Sequence, residues 1–142
     1  MTERPVRLRR LSARQLGLLV EALFGLIVAS LVVAMLPFRT ICKLVVRPDE
    51  TKAPDEPDAL FSIAWAVQAC ARRVPFRAKC FEQGLAAWWM LHRRGIDATL
   101  HYGAALRGES LVAHVWVTAE HHNIVGWQNA DRFQELVRLP LR

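Results

Sequence analysis

The chain has 142 residues, of which 53% are hydrophobic, and a formal net charge of +6. This length suits one domain with a buried core. The arginines form no continuous basic stripe and the tryptophans fall at core spacing, which argues against nucleic acid as a partner. Three widely spaced cysteines make neither a disulfide framework nor a CxxC motif, so we expect a reducing cytoplasm.

The N-terminal segment begins with an arginine-containing arm at residues 1–11, followed by a long apolar stretch. Ser12 and Gln15 have the spacing of a capping box, which predicts that a helix starts there. The apolar run 16–38 then predicts a helix that reaches the length of a membrane span.

Two features leave the environment of this helix open. Glu21 lies in its first turns and Pro37 ends it, so the helix can contact a membrane, pack on the protein's own core or fill a partner's groove. The proline-rich and acidic stretch 47–57 predicts a linker. We therefore divide the chain into an N-terminal segment, 1–57, and a domain, 58–142.

The second part changes from helical to strand periodicity. Asp58 predicts the N-cap of a helix over 59–73, and a second helix starts at Cys80 and stops near Gly95. Period-two patterns then predict strands at 98–106, 111–118 and 124–127 and a short closing element at 132–139. Helices followed by an antiparallel meander predict an α+β fold.

Cys80 opens the second of these helices. The unpaired N–H groups and the positive dipole end of a helix N-terminus favour a thiolate, and Arg77 and Lys79 add positive charge. The alternative is that Cys80 is a small buried apolar residue, which we expect of Cys42 and Cys70.

His114 is the candidate partner of this thiol. Along its strand, His114 shares a mixed face with Val112 and Trp116, while the other face is apolar. A thiol and an imidazole on packed elements can form a thiolate–imidazolium nucleophile. A hydrogen-bonded core histidine would give the same pattern.

Two blocks of this sequence resemble a known family. The run from Cys80 to Gly103 resembles the "C-x-x-Q … L-x-R-R-G-I-x-A-x-L-x-x-G" block of the lasso-peptide maturation proteases, and residues 113–117 are similar to their "A-H-A-W-V" block. These proteins are transglutaminase-like, papain-related cysteine proteases. An apolar helix ending in the sequence 36–39, Leu-Pro-Phe-Arg, is similar to theirs as well.

The resemblance implies a cytoplasmic leader peptidase that cleaves a ribosomally made precursor before an ATP-dependent cyclase closes the macrolactam ring. Many relatives carry a fused winged-helix domain of about 80 residues that recognises the leader. Nothing before residue 58 fits such a domain, so we expect a separate recognition protein. The apolar helix is then expected to be packed or peripherally associated with a membrane.

The third catalytic position departs from the family pattern. Many relatives place an aspartate about twelve residues after the histidine, where this chain has Gly126. A hairpin turn centred on residues 121–122 would put Asn129 opposite His114, because paired strands share faces. An amide can orient an imidazole, so we predict Asn129 as third member, with Asp131 and Gln128 as rivals. A Cys–His dyad alone is the other possibility.

Two further polar residues are candidates for substrate contacts. Gln83, one turn into the helix, could donate to the oxyanion or the substrate, and His101 could line a pocket. Both patterns also fit ordinary helix-surface and core positions. A metal site made of His101, His114 and Cys80 would need a geometry that the sequence does not show, so we expect neither metal nor cofactor.

Two other function classes remain open. An acyltransferase of the transglutaminase type would use the same Cys–His pair but pass the acyl group to an amine. A non-catalytic scaffold would keep the fold and recruit the precursor or the cyclase through the apolar helix, and the glycine at 126 favours it.

Overall fold

The structure, a computed structural model, describes residues 10–53 and 57–141. The α-helices are α1 Ala13–Met35, α2 Phe38–Leu44, α3 Pro57–Ala71 and α4 Cys80–Arg93. The strands are β1 Ala98–Arg107, β2 Ser110–Ala119, β3 His122–Val125 and β4 Gln134–Leu139, with a 3₁₀ helix at Trp127–Arg132 before β4. The predicted α+β class is confirmed. Most of the predicted arm, residues 1–9, and part of the predicted linker, residues 54–56, lie outside the described residues.

The start of α1 is the predicted capping box. The Ser12 hydroxyl accepts from the Gln15 amide at 3.2 Å, and the Gln15 side chain accepts from the Ser12 amide at 2.9 Å. The helix ends at Met35, before the predicted end at 38, because Pro37 takes the N-cap of a second helix. The sequence pattern did not predict this seven-residue helix, α2.

The boundaries of the next two helices differ from the predictions by a few residues. α3 begins at Pro57, so Asp58 lies in its first turn, where a carboxylate suits the helix dipole, instead of at the predicted cap. α4 ends where expected, since Gly95 adopts the left-handed conformation with φ +70°. The Gly95 carbonyl accepts from the Lys52 amide at 2.7 Å, which ties the chain before α3 to the end of α4.

The sheet is antiparallel, with strand order β3-β2-β1-β4. The first three strands form the predicted meander, and the closing element pairs with the other edge of β1. Gly108, with φ +62°, allows the tight turn between β1 and β2. The β2–β3 register shifts between Val117 and Thr118, which sets the course of the chain after β3.

One hydrophobic core joins the helices to the sheet. α1 packs on α3 and α4, and α4 lies on β1 and β2. A Cβ at Gly84 would come within 2.7 Å of Val115, so the glycine lets α4 approach the sheet closely. The core includes buried residues from both sides of the predicted division at residue 57, such as Leu26 and Leu91.

Candidate functional site

Cys80 is the first residue of α4, and its side chain is partly buried. The N-cap, Lys79, offers no side-chain hydrogen bond to the helix. The N–H groups of the first turn therefore lack a capping side chain, and the positive end of the helix dipole lies at the Cys80 sulfur. A helix N-terminus of this kind can bind a negatively charged group.

Two side chains of the first turn fix the loop before Cys80. The Gln83 amide donates to the Ala78 carbonyl at 2.9 Å, so one of its two N–H groups holds the loop and is not free for the substrate. The Arg77 guanidinium lies 3.2 Å from the carboxylate of Glu82, which is 1% exposed. The charge of Arg77 is thus paired with Glu82, a residue that the sequence pattern did not indicate.

An aromatic cluster packs beside the nucleophile's helix. The Phe38 ring, at the start of α2, lies 4.7 Å from that of Tyr102 and 6.1 Å from that of Phe81. Phe81 follows Cys80 directly, so the Leu-Pro-Phe-Arg segment at 36–39 supports the first turn of α4. The segment between α1 and α2 is therefore part of the site's framework.

His114 lies on the face of the sheet opposite α4. Val115 and Val117 contact Gly84 of α4, and because side chains alternate along a strand, His114 projects the other way. Its ring stacks on Phe133 at 4.8 Å and on Trp116 at 6.1 Å. The ring position is thus fixed by aromatic contacts on both sides.

The partner of His114 is a backbone group. Its Nε2 lies 2.6 Å from the carbonyl oxygen of Gly126, an acceptor, so Nε2 carries the proton and Nδ1 holds the lone pair in the neutral ring. Gly126 has φ +75°, and a Cβ there would come within 2.3 Å of the Val115 carbonyl. Glycine is required here for both reasons.

The predicted third member does not reach His114. Asn129, like its rivals Gln128 and Asp131, is exposed and belongs to the 3₁₀ helix that follows Gly126. The prediction placed Asn129 on a strand paired with β2, but β3 ends at Val125 after the register shift. The group that His114 contacts is the Gly126 carbonyl, a backbone group that no pattern of polar side chains indicates.

Cys80 and His114 belong to two elements that pack together, α4 and β2. Cys80 shares the sheet-facing side of α4 with Gly84, one turn on. Within residues 10–53 and 57–141, no hydrogen bond joins its thiol to His114, and His114 Nδ1 has no partner. In the described residues, the Gly126 carbonyl orients the His114 imidazole through Nε2, and Nδ1 makes no hydrogen bond.

His101 is a structural histidine whose two ring nitrogens both have hydrogen-bond partners. It is 9% exposed, and its ring stacks on Trp116 with centroids 5.3 Å apart. Nδ1 lies 2.8 Å from a Glu135 carboxylate oxygen, and Nε2 lies 2.9 Å from the Thr118 hydroxyl. Both nitrogens are occupied, which fits the core alternative and leaves the pocket-lining prediction without support.

The other two cysteines differ from Cys80. Cys42 is buried, and the Cys70 thiol donates to the Leu19 carbonyl at 3.3 Å, linking α3 to α1. Burial raises the pKa of both thiols, which keeps them protonated. Both therefore fit the predicted core role.

The α+β fold, with a cysteine at a helix N-terminus and a histidine on the adjoining sheet, defines the class of papain-related and transglutaminase-like domains. The model of the transglutaminase-like superfamily matches residues 23–138, and the chain belongs to this family. Members are generally cysteine-dependent enzymes of protease or acyltransferase type. Comparison with curated proteins and with solved structures gives no match.

Proposed function

We propose that this protein is a cysteine leader peptidase, which cleaves the leader from a lasso-peptide precursor before macrolactam cyclisation. The observation that carries the proposal is the placement of Cys80 at the first residue of α4, against the sheet that holds an oriented His114. The resemblance of the two sequence blocks supplies the substrate class. The expected partners are the precursor leader, a separate winged-helix recognition protein and the ATP-dependent cyclase.

The chemistry follows from these groups. The Cys80 thiolate attacks the carbonyl carbon at the leader–core junction, and N–H groups at the start of α4 stabilise the oxyanion. Protonated His114 gives its proton to the leaving amine as the C–N bond breaks. Water then hydrolyses the thioester, which releases the leader as a carboxylic acid and restores the thiol.

The hydrogen bond to the Gly126 carbonyl determines which ring nitrogen of His114 carries the proton and which can accept one. Because Nε2–H donates to this carbonyl, Nδ1 is the atom that exchanges the proton with the thiol. The mechanism requires Nδ1 to come within hydrogen-bond reach of the sulfur once substrate is bound. Because His114 projects from the face of the sheet opposite α4, this contact requires the start of α4 and β2 to rearrange when substrate binds.

The test is leader release, followed by mass spectrometry, with a lasso-peptide precursor and a winged-helix recognition protein. We expect Cys80→Ala to lower the rate by about 10⁴-fold or more. The matched control is Cys70→Ala, a thiol on α3 that should leave the rate unchanged. Equal cleavage by wild type and Cys80→Ala would remove Cys80 as the nucleophile.

A non-catalytic scaffold is the second candidate, and it is favoured because no hydrogen bond joins Cys80 to His114 in the described part of the chain. A scaffold would bind the precursor without cleaving it. Binding by both wild type and Cys80→Ala, with release by neither, would establish it. Transfer of the acyl group to added amine instead of water would establish the acyltransferase alternative.

A further inference from the structure

α1 has two apolar sides, and only one is covered. The covered side packs on α3 and α4 through Leu18, Ala22, Gly25, Leu26 and Ala29. The opposite side, here the exposed apolar face, consists of eight side chains that are 40% to 76% exposed: Leu16, Val20, Leu23, Phe24, Ile27, Val28, Leu31 and Met35. At 3.6 residues per turn, they cover about 140° of the circumference along the length of the helix.

α1 is long and apolar enough to cross a membrane, judged by length and composition. Its contacts hold it on the domain instead. Glu21 accepts two hydrogen bonds from Arg94, at 2.6 and 2.7 Å, and one from Arg93 at 3.1 Å. Crossing a bilayer would break this ion pair and expose Ala22 and Leu26, which are both fully buried. Only the side of the helix that faces away from the domain can therefore contact lipid.

Basic residues border the exposed apolar face. Arg10 and Arg14 lie at the start of α1, and the exposed Arg39 and Lys43 belong to α2, just after its end. A groove of about 670 Å³ between α1 and α3 is lined by Leu16, Val20 and Leu23 and, on α3's side, by Arg72 and Arg73. The one acidic residue of α1, Glu21, is already paired with arginines.

We propose that α1 lies in the plane of an anionic lipid surface, with its exposed apolar face in the acyl-chain boundary and its basic border at the headgroups. A wide apolar stripe with cationic edges is the pattern of interfacial helices, and each basic residue near an anionic leaflet adds attraction.

The charge pattern disfavours a second copy of this chain as the occupant. Both ends of the face are basic, so either a parallel or an antiparallel pairing of two α1 helices would set arginine or lysine against arginine. Such like-charge contacts oppose association. Anionic lipid is the complement of both ends at once.

The test is co-sedimentation of the full chain with vesicles of phosphatidylcholine alone and of phosphatidylcholine with phosphatidylglycerol. We expect binding to the anionic vesicles and release in high salt. The variant Val20→Gln, Leu31→Gln, Met35→Gln changes three positions of the face that are each more than half exposed and should bind about tenfold more weakly. The matched control, Leu106→Gln, Leu111→Gln, Leu136→Gln, changes equally exposed leucines of the sheet and should bind like wild type.

Each other outcome would overturn the proposal. Equal loss in both triple variants, or no binding to anionic vesicles, would remove the face as a lipid site. Protein that resists extraction with alkaline carbonate would be spanning the bilayer. Dimers of wild type that the α1 variant does not form, without vesicle binding, would assign the face to a second copy. No step needs enzymatic activity, so failure here is distinct from failure of the proposed function.

Discussion

His101 and His114 lie on the same face of the same sheet, on neighbouring strands, and both stack on Trp116. They differ in what their nitrogens bind. His101 is held by two side chains, Glu135 and Thr118, whereas His114 is held through one nitrogen by the Gly126 carbonyl. A histidine with both nitrogens bonded is fixed in the structure, and one with a free nitrogen is available for proton transfer.

The same substitution at both histidines tests whether only His114 acts as a base, and the largest effect is expected at His114. His114→Phe keeps an aromatic ring between Phe133 and Trp116 but removes the base, so we expect leader release to fall by about 10³-fold with little change in unfolding temperature. The assay is leader release by mass spectrometry beside a thermal melt. Retained activity would show that His114 is not the base.

Gly126→Ala tests the group that orients His114. A Cβ at 2.3 Å from the Val115 carbonyl and a φ of +75° force the backbone to shift, at a cost of about 1–3 kcal/mol in unfolding free energy. The shifted carbonyl no longer holds Nε2, so activity should fall by more than the lost stability explains. The matched change is Gly108→Ala, another left-handed glycine with open space around it, which should lower stability alone.

His101→Phe should show the opposite result from His114→Phe. It leaves Glu135 and Thr118 without their partner, which should lower the unfolding free energy by about 1–3 kcal/mol. Leader release below the melting temperature should stay at the wild-type rate. Denaturant unfolding and the leader-release assay measure the two effects, and a specific loss of rate would assign His101 to the active site.

The smallest effect should come from Glu135→Gln. The hydrogen bond from Arg138, followed by that from His101, lowers the pKa of Glu135 below its ordinary value of 4.5. Its contribution to stability is therefore complete above pH 4.5 and is lost as the pH falls through the lowered pKa. Acid unfolding followed by circular dichroism should be less steep in Glu135→Gln, while the two proteins respond alike to pH near neutrality.

Where adjacent residues determine the start or end of a helix, the sequence predicted it. The Ser12–Gln15 capping box and the helix stop at Gly95 each depend on a few adjacent residues. Cys80 was placed at the start of α4 for the same reason, since the helix period and its stop signal define the first turn.

The features that the sequence did not predict depend on contacts between distant residues. The shift between Val117 and Thr118 leaves no trace in the alternation of polar and apolar residues, yet it changes the position of every later residue. Asn129 was therefore predicted on a strand that ends at Val125. The Gly126 carbonyl is a backbone group, and its direction becomes visible only with the fold.

The position of Phe38 indicates that the folded domain needs residues before 58. Its ring lies against Tyr102 and Phe81, so the chain directly after α1 braces the turn that bears Cys80. A fragment limited to residues 58–142 would lose this brace and uncover Ala86, which lies against Gly25 of α1. The N-terminal segment thus supplies part of the packing that holds the first turn of α4 in place.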